Sequence, residues 1–538
     1  SRVLPRDDGS GPAFPEAGFP PVAGEIECPW PVREGSPPDR GLIFQPKEVP
    51  MAKDRKEITR RDFTSQTATA AAAVVAGGTA LGGARAAGAP VVSARVLGAN
   101  DRLVFANIGI RGQGNSLKRG FARLAGVEIK TLCDPDENLY PSRAKDETLE
   151  DVPTFKPGYE RDLRRVMDDK DIDGVIIATP NHWHALATIW ALQAGKHVFV
   201  EKPSSHNVWE GRKMVEAARR YEKMVQVGTM NRSRPEVRQA IAFLHGGGIG
   251  KVYMARGLCF KPRPSIGKYP DGPLAPGETY RLNVEATDTQ PTWDEAYLAK
   301  VDYDLWTGPA PKRPFNRNHF HYNWHWHWAY GNGDTGNQGP HQFDIARWGL
   351  GKSEHPVYVS SLGGYFGPPA SQNTPDTQTS LFRYEDGTQL EFGTRGQFTN
   401  DEGSQRIGNL FYGTEGWLFI DGNGRDWQSY LGRKNEKGPG SDAPPDAAAS
   451  DPLVLTSIEG GHYQNFVDAI RKDDRSVLTS EIEEGHLSST LPLIANVSYR
   501  VGRALAFDGA KEQFVGDDEA NGLLRDDYRE PFVVPEKP

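Results

Sequence analysis

The sequence predicts an α/β fold, in which a doubly wound parallel sheet at the N-terminal end leads into an α+β domain built on a large, mostly antiparallel open sheet. Three observations predict it. Between Leu103 and Thr229, short apolar runs alternate with helix-length segments, the pattern of parallel strands joined by right-handed crossovers. Beyond Pro356, amphipathic strand patterns are closed by turn sequences such as Asp386-Gly387, as in antiparallel pairs. The chain has 538 residues, too many for one hydrophobic core.

In chain order, strands are expected at Leu103–Ile110, Val127–Cys133, Ile172–Thr179, His197–Lys202 and Val225–Thr229. After about Met230 the texture changes. A helix is expected at Pro235–Leu244 and a strand at Lys251–Cys259, then a stretch rich in Pro, aromatics and His. Turns at Gly413–Gly416 and Asp421–Gly424 divide the later strands, a helix is expected near Glu483–Leu505, and a charged tail closes the chain.

Residues 1–50 are rich in Pro and Gly, and the first Met is Met51. Residues 51–97 read as a twin-arginine signal and linker. Lys53, Arg55 and Lys56 are followed by Thr59-Arg60-Arg61-Asp62-Phe63, an Ala/Gly/Val stretch and a small-x-small site at Ala84-Arg85-Ala86. Ala and Gly contribute too little transfer energy for that stretch to be a membrane anchor, so no stable span is expected after processing. A signal must be N-terminal to be read, so residues 1–50 are expected to be a disordered or mis-assigned leader. The expectation is export of a folded bacterial protein to the periplasm.

The composition is 37% hydrophobic and 25% charged, with a formal net charge of −8. That balance offers no electrostatic footprint for nucleic acid. Three cysteines without paired spacing exclude a disulfide framework and a zinc ribbon.

Gly109-Ile110-Arg111-Gly112-Gln113-Gly114 follows the first strand and opens a helix. Its glycines allow a tight turn, and the helix N-terminus offers free N–H groups to a pyrophosphate. Arg111 stands where the usual second glycine would be, so Gly112 is expected to allow the close approach and Arg111 to neutralise phosphate. Asp134, at the tip of the second strand, suits the adenosine ribose and repels a 2′-phosphate, which favours NAD over NADP.

Three further segments complete a pattern: Ala178-Thr179-Pro180-Asn181-His182-Trp183-His184, Glu201-Lys202-Pro203, and Gly336-Asn337-Gln338-Gly339-Pro340-His341 with Asp344. Their order and spacing, with the glycine loop, resemble the Gfo/Idh/MocA family of glucose-fructose oxidoreductase, inositol dehydrogenase and relatives, over roughly Leu103–Leu505. The resemblance implies an NAD(P)-binding Rossmann domain (98–230), a C-terminal substrate and oligomerisation domain (231–510) before the tail (511–538), and a homodimer or homotetramer. It implies that Thr179, Pro180, Asn181, His184, Glu201 and Lys202 line the cofactor site. Lys202 would be the catalytic lysine, aimed by a cis Lys202–Pro203 bond, and His341 the general acid/base. The family's acid four residues before that histidine is here Asn337, which can hold a hydroxyl but take no proton, leaving Asp334 and Asp344 as substitutes.

This chemistry suits oxidation of a secondary alcohol, since His341 can accept the hydroxyl proton near neutral pH and Lys202 can stabilise a developing alkoxide. The run His319–Trp328, HFHYNWHWHW, raises a metal question, because period-two spacing would put His325 and His327 on one face of a strand. With no supporting HExxH or paired-carboxylate motif, no metal is expected. Trp324, Trp326 and Trp328 suggest an aromatic wall for a sugar ring, with Trp326, Asn231, Arg232 and Asp344 as substrate contacts.

The reading is an NAD-dependent oxidoreductase for a sugar, cyclitol or glycoside hydroxyl. Free NAD is scarce outside the cytoplasm, so export implies a tightly held cofactor. Two alternatives use the same residues: a redox-neutral NAD-dependent glycosidase, and a non-catalytic sugar-binding protein. A metal-dependent hydrolase using the histidine run is a third.

Overall fold

The computed structural model describes residues 102–279, 293–397, 399–442 and 460–538. The expected leader and the twin-arginine motif lie outside the described residues.

Six strands, Leu103–Ile108 (β1), Val127–Cys133 (β2), Gly158–Glu160 (β3), Gly174–Ile177 (β4), His197–Val200 (β5) and Val225–Val227 (β6), form a parallel sheet in the order β3-β2-β1-β4-β5-β6. This is the doubly wound order, whose ligand crevice lies at the carboxyl ends of β1 and β4. The central strand β4 is buried throughout, which is why it reads as an unbroken apolar run. The apolar runs expected through Ile110 and Lys202 leave the sheet at Ile108 and Val200. The residues beyond each strand end form the loops that carry the site. β3 has three residues, too few for a periodic signal.

Crossover helices are Gly112–Ala122 (α1), Leu163–Asp168 (α2), Asn181–Gln193 (α3) and Val208–Tyr221 (α4). Helix α3 is buried along nearly its whole length, because it is covered on both sides. Val175, Ile177 and Val200 lie beneath it, and the segment around Trp306 lies above.

After Pro235–His245 (α5), the strand Val252–Cys259 (β7) lies within a sheet of ten strands. Helix Gly339–Gly349 (α6) packs on this sheet through Phe343, which meets Phe392 and Phe382. The remaining strands are Tyr358–Gly364 (β8), Thr377–Arg383 (β9), Gln389–Arg395 (β10), Ile407–Gly413 (β11), Gly416–Asp421 (β12), Trp427–Leu431 (β13), Glu436–Gly440 (β14), Leu505–Asp508 (β15) and Gln513–Phe514 (β16). They run in the order β14-β13-β12-β11-β7-β10-β9-β8-β15-β16. The pairing is antiparallel except between β7 and β10, which are parallel.

The last third of the chain also completes the first domain. Helix Gly461–Lys472 (α7) presses Phe466 and Val467 against Phe105, Phe121 and Phe199. Helix Ile482–Val501 (α8) begins beside β6, with Ile482 in the same core as Val225 and Val227. The sequence places this helix through Leu505. It stops at Gly502, whose φ of 68° is a left-handed cap, and Leu505 starts β15 instead. The charged tail folds back: Phe532 is buried with its ring 5.4 Å from that of Trp183.

One expectation is overturned. His325 and His327 do not share a strand face, because His321–Trp326 forms a 3-10 helix. His321 enters it at a φ of 49°, which ends any extended run; His321 and His325 turn to different partners, while the His319 and His327 rings meet with centroids 4.1 Å apart.

Candidate active site

Glycine permits the loop after β1. Gly109 has φ of 81°, and a Cβ there would lie 2.6 Å from the carbonyl oxygen of Ala178, so the loop touches the β4 edge only because no side chain intervenes. Gly114 packs behind it, where a Cβ would fall within 1.7 Å of the Gly109 oxygen. A Cβ on Gly112 would meet nothing within 4 Å, so the first turn of α1 opens onto free space.

That space is a cavity of about 370 Å³ between the carboxyl edge of the parallel sheet and the second domain. Gly109, Arg111, Gly112, Asp134, Thr179, Pro180, Asn181, His184, Glu201, Lys202, Asn337 and His341 all line it. The structure therefore brings together all the expected catalytic residues and every expected cofactor residue except Gly114, which supports the loop from behind.

Asp134 holds the glycine loop as well as facing the cavity. Its carboxylate accepts from the backbone N–H of Ile110 at 2.9 Å and of Asp136 at 3.0 Å. Burial outweighs these bonds and pushes its pKa up to about 7. Glu201 is buried and accepts from Gln113 Nε2 at 2.8 Å, and burial raises its pKa too.

Lys202 follows β5 through a cis bond to Pro203. Its Nζ donates to the Asn337 carbonyl oxygen at 2.9 Å, joining the two domains across the cavity. Burial lowers its pKa, against the pull of Glu201. His184 is packed between the Pro203 and Thr179 carbonyl oxygens, 2.7 and 2.9 Å from its ring nitrogens; burial keeps the ring neutral, so it donates its single N–H to one of them. His341, near the start of α6, is held neutral, at a pKa of about 3, by burial and by Lys202. Among the described residues no side chain hydrogen-bonds its imidazole.

Four expected substrate contacts do not line the cavity. Arg232 donates Nε to both oxygens of Asp344 at 2.8 and 2.9 Å, in a buried ion pair. Asp344 also accepts from Ser488 Oγ at 2.7 Å. The pair locks the segment after β6 to α6 and α8, because a buried charge is stable only when fully partnered. Asn231 accepts from Arg234 Nε at 3.1 Å. Trp326 is buried under the Arg263 guanidinium, and its neighbours Tyr322, Trp324 and His325 face the cavity instead. Asp334, a proposed proton carrier, is clamped by Arg263 at 2.7 and 2.8 Å.

Gln113, Met230, Lys261 and Tyr322 line the cavity without having been anticipated. Only Gln113 had a signal, its place within the glycine loop. The histidine run does not gather at one point: His321 meets Asp136 at 2.9 Å, whereas His327 meets the Asn318 oxygen at 2.9 Å and packs edge-on to His319, centroids 4.1 Å apart. Among the described residues, His355, His486 and Glu512 are the group whose ligand atoms gather within 4.8 Å. There Glu512 is already held by Arg212 at 2.7 Å.

The residues present fit a dinucleotide. The N-terminus of α1 faces open space, and Thr179 Oγ1 is buried at the cavity wall without a partner.

The chain matches two family models: the oxidoreductase family with an NAD-binding Rossmann fold over residues 106–229, and that family's C-terminal α/β domain over residues 288–409 and 456–534. It is 35% identical over 158 residues to a "glycosyl hydrolase family 109 protein" of Shewanella pealeana, covering 27% of this chain and 34% of that one. A protein of the same description from Shewanella woodyi is 36% identical over 140 residues, covering 25% and 29%. The chain thus spans about a third of the length of these relatives. Among solved structures, an aldose-aldose oxidoreductase from Caulobacter crescentus complexed with glycerol superposes with a TM-score of 0.52 at 17% identity, over 76% of this chain and 100% of that one. A levoglucosan dehydrogenase in complex with NADH and levoglucosan gives 0.51 at 20% identity, over 77% and 99%. At such identities the likeness is one of fold.

Proposed function

Because this chain belongs to the Gfo/Idh/MocA family of NAD-binding oxidoreductases, we propose that it oxidises a secondary hydroxyl of a sugar, cyclitol or glycoside with NAD. The observation that carries this is the meeting of Lys202, Asn337 and His341 in the cavity that the glycine loop opens. The first turn of α1, Arg111 and Thr179 would hold the dinucleotide. The oxidised nicotinamide, when bound, supplies the acceptor for the hydrogen and electron pair that leave the carbon. His341, kept neutral by burial, is placed to take the hydroxyl proton on its ring nitrogen, although the same burial makes it a weaker base than the near-neutral imidazole expected from the sequence. Lys202 directs donors at the Asn337 backbone and side-chain oxygens and keeps a third for the substrate oxygen, where its charge favours the developing alkoxide. Asn337 anchors the lysine.

A second reading, redox-neutral glycoside cleavage, is favoured by the description of the Shewanella relatives as glycosyl hydrolases. It suits export through the Thr59–Phe63 sequence, since a cofactor restored in each cycle need not exchange. Cell fractionation tests the export. Purified protein incubated with sugars and glycosides, with nicotinamide absorbance and aglycone release followed together, separates the two activities. Absorbance change without cleavage supports the dehydrogenase, and cleavage without net absorbance change supports the glycosidase. Neither signal on any sugar rejects both. Acid denaturation of protein purified without added NAD is expected to release nicotinamide, and none released would reject tight binding.

A further inference from the structure

The position where the family carries an acid is Asn337, and the two carboxylates expected to substitute for it are committed elsewhere, Asp334 to Arg263 and Asp344 to Arg232. A different acceptor faces the cavity. His325 lies on its wall, within the histidine-rich segment His319–Trp328. Its Nδ1 is 2.5 Å from the carbonyl oxygen of Tyr322. A carbonyl only accepts, so Nδ1 carries the proton and Nε2 of the neutral ring carries the lone pair. Burial keeps the ring neutral, at a pKa of about 3. Among the described residues nothing hydrogen-bonds Nε2. The ring is held by stacking on Trp324, with centroids 3.6 Å apart and planes at 19°, and Trp324 also lines the cavity. A packed structural histidine would have both nitrogens satisfied or sealed. Here one is anchored and the other is left open beside an aromatic face.

We propose that His325 is a specificity-determining residue, its Nε2 accepting a hydrogen bond from one hydroxyl of the sugar whose ring lies along Trp324. This rests on the sugar-oxidising function proposed above. A site built to bond a hydroxyl rejects the analogue lacking it, because the buried acceptor is then left unpaired.

The test compares monodeoxy sugars on the wild-type holoenzyme and on His325→Asn, whose amide can still donate to the Tyr322 oxygen but has no acceptor at the Nε2 position. One deoxy analogue is expected to lose about 10²-fold or more in kcat/KM on the wild type, and that penalty should shrink to a few-fold in the variant. Independently of turnover, the 15N resonance of His325 Nε2 should report an unprotonated nitrogen and should move when sugar is added to protein loaded with reduced nicotinamide. An unchanged deoxy penalty in the variant, or a resonance unmoved by saturating sugar while the wild type turns sugar over, overturns the assignment and leaves the function standing. Wild-type protein inert toward every sugar, with no resonance shift, overturns both. Should His325→Asn fail to fold, the resonance alone decides.

Discussion

Lys202 shows how much a single side chain depends on its setting. Its ammonium is surrounded by protein, donates to the backbone and side-chain oxygens of Asn337 at 2.9 and 3.5 Å, and is flanked by Glu201. Replacing it by Met keeps the volume and removes the charge. Lys202→Met should lower kcat by roughly 10²-fold or more while nicotinamide binding, followed by fluorescence titration, changes little. Unchanged kcat would remove the lysine from the mechanism. Lys202, His341 and the glycine loop were legible in the sequence because each sits in a short motif with fixed spacing. Arg232, Asp344 and Trp326 were misjudged for a physical reason: sequence position near a strand end does not say which way a side chain points. Their partners are distant in the chain, at Ser488 and Arg263.

At the scale of elements, the segment from Trp293 to Trp326 lies across the ends of β2 and α3. Asp136 is its main fastening. The carboxylate is fully buried and accepts from Tyr297 Oη at 2.6 Å, and it pairs with His321 Nε2 at 2.9 Å. Backbone bonds from Glu137 N to the Lys300 oxygen and from Asp302 N to the Pro135 oxygen run beside it. Trp183 Nε1 donates to the Leu305 and Trp306 oxygens on the other side. Asp136→Ala leaves buried donors unpaired and should cost about 3 kcal/mol, read as a lower midpoint in denaturant. It should also speed loss of nicotinamide on dialysis. A variant as stable as wild type would mean that the segment is fastened elsewhere. The regular elements around it were legible from periodicity. This segment was not, because a chain of short helices and loops is fixed by its contacts rather than by its pattern.

At the scale of the whole molecule, buried histidines set the acid stability. Burial holds His182, His325, His327 and His341 at about 3, and His184, His197, His321 and His462 at about 4. The unfolded chain protonates histidine near 6.5, so below that pH it binds protons the folded chain refuses. Each group then removes up to about 1.4 kcal/mol of stability per pH unit. Asp134 and Glu210, raised to about 7 by burial, act in the opposite direction over the same range but are fewer. The thermal midpoint should therefore fall as pH drops from 6.5 toward 4, and a flat profile in differential scanning calorimetry would contradict this balance. By itself the sequence determined the alternation of the longer strands and helices in the first domain, the dinucleotide loop and the Lys202 and His341 motifs, because these depend on local periodicity and short-range spacing. Only the tertiary structure decided that α7 and α8 close the first domain, that Arg232 and Asp344 are a buried pair, and that His325 and Trp324 rather than Trp326 face the cavity. Those outcomes follow from burial and long-range pairing, which no local pattern of residues encodes.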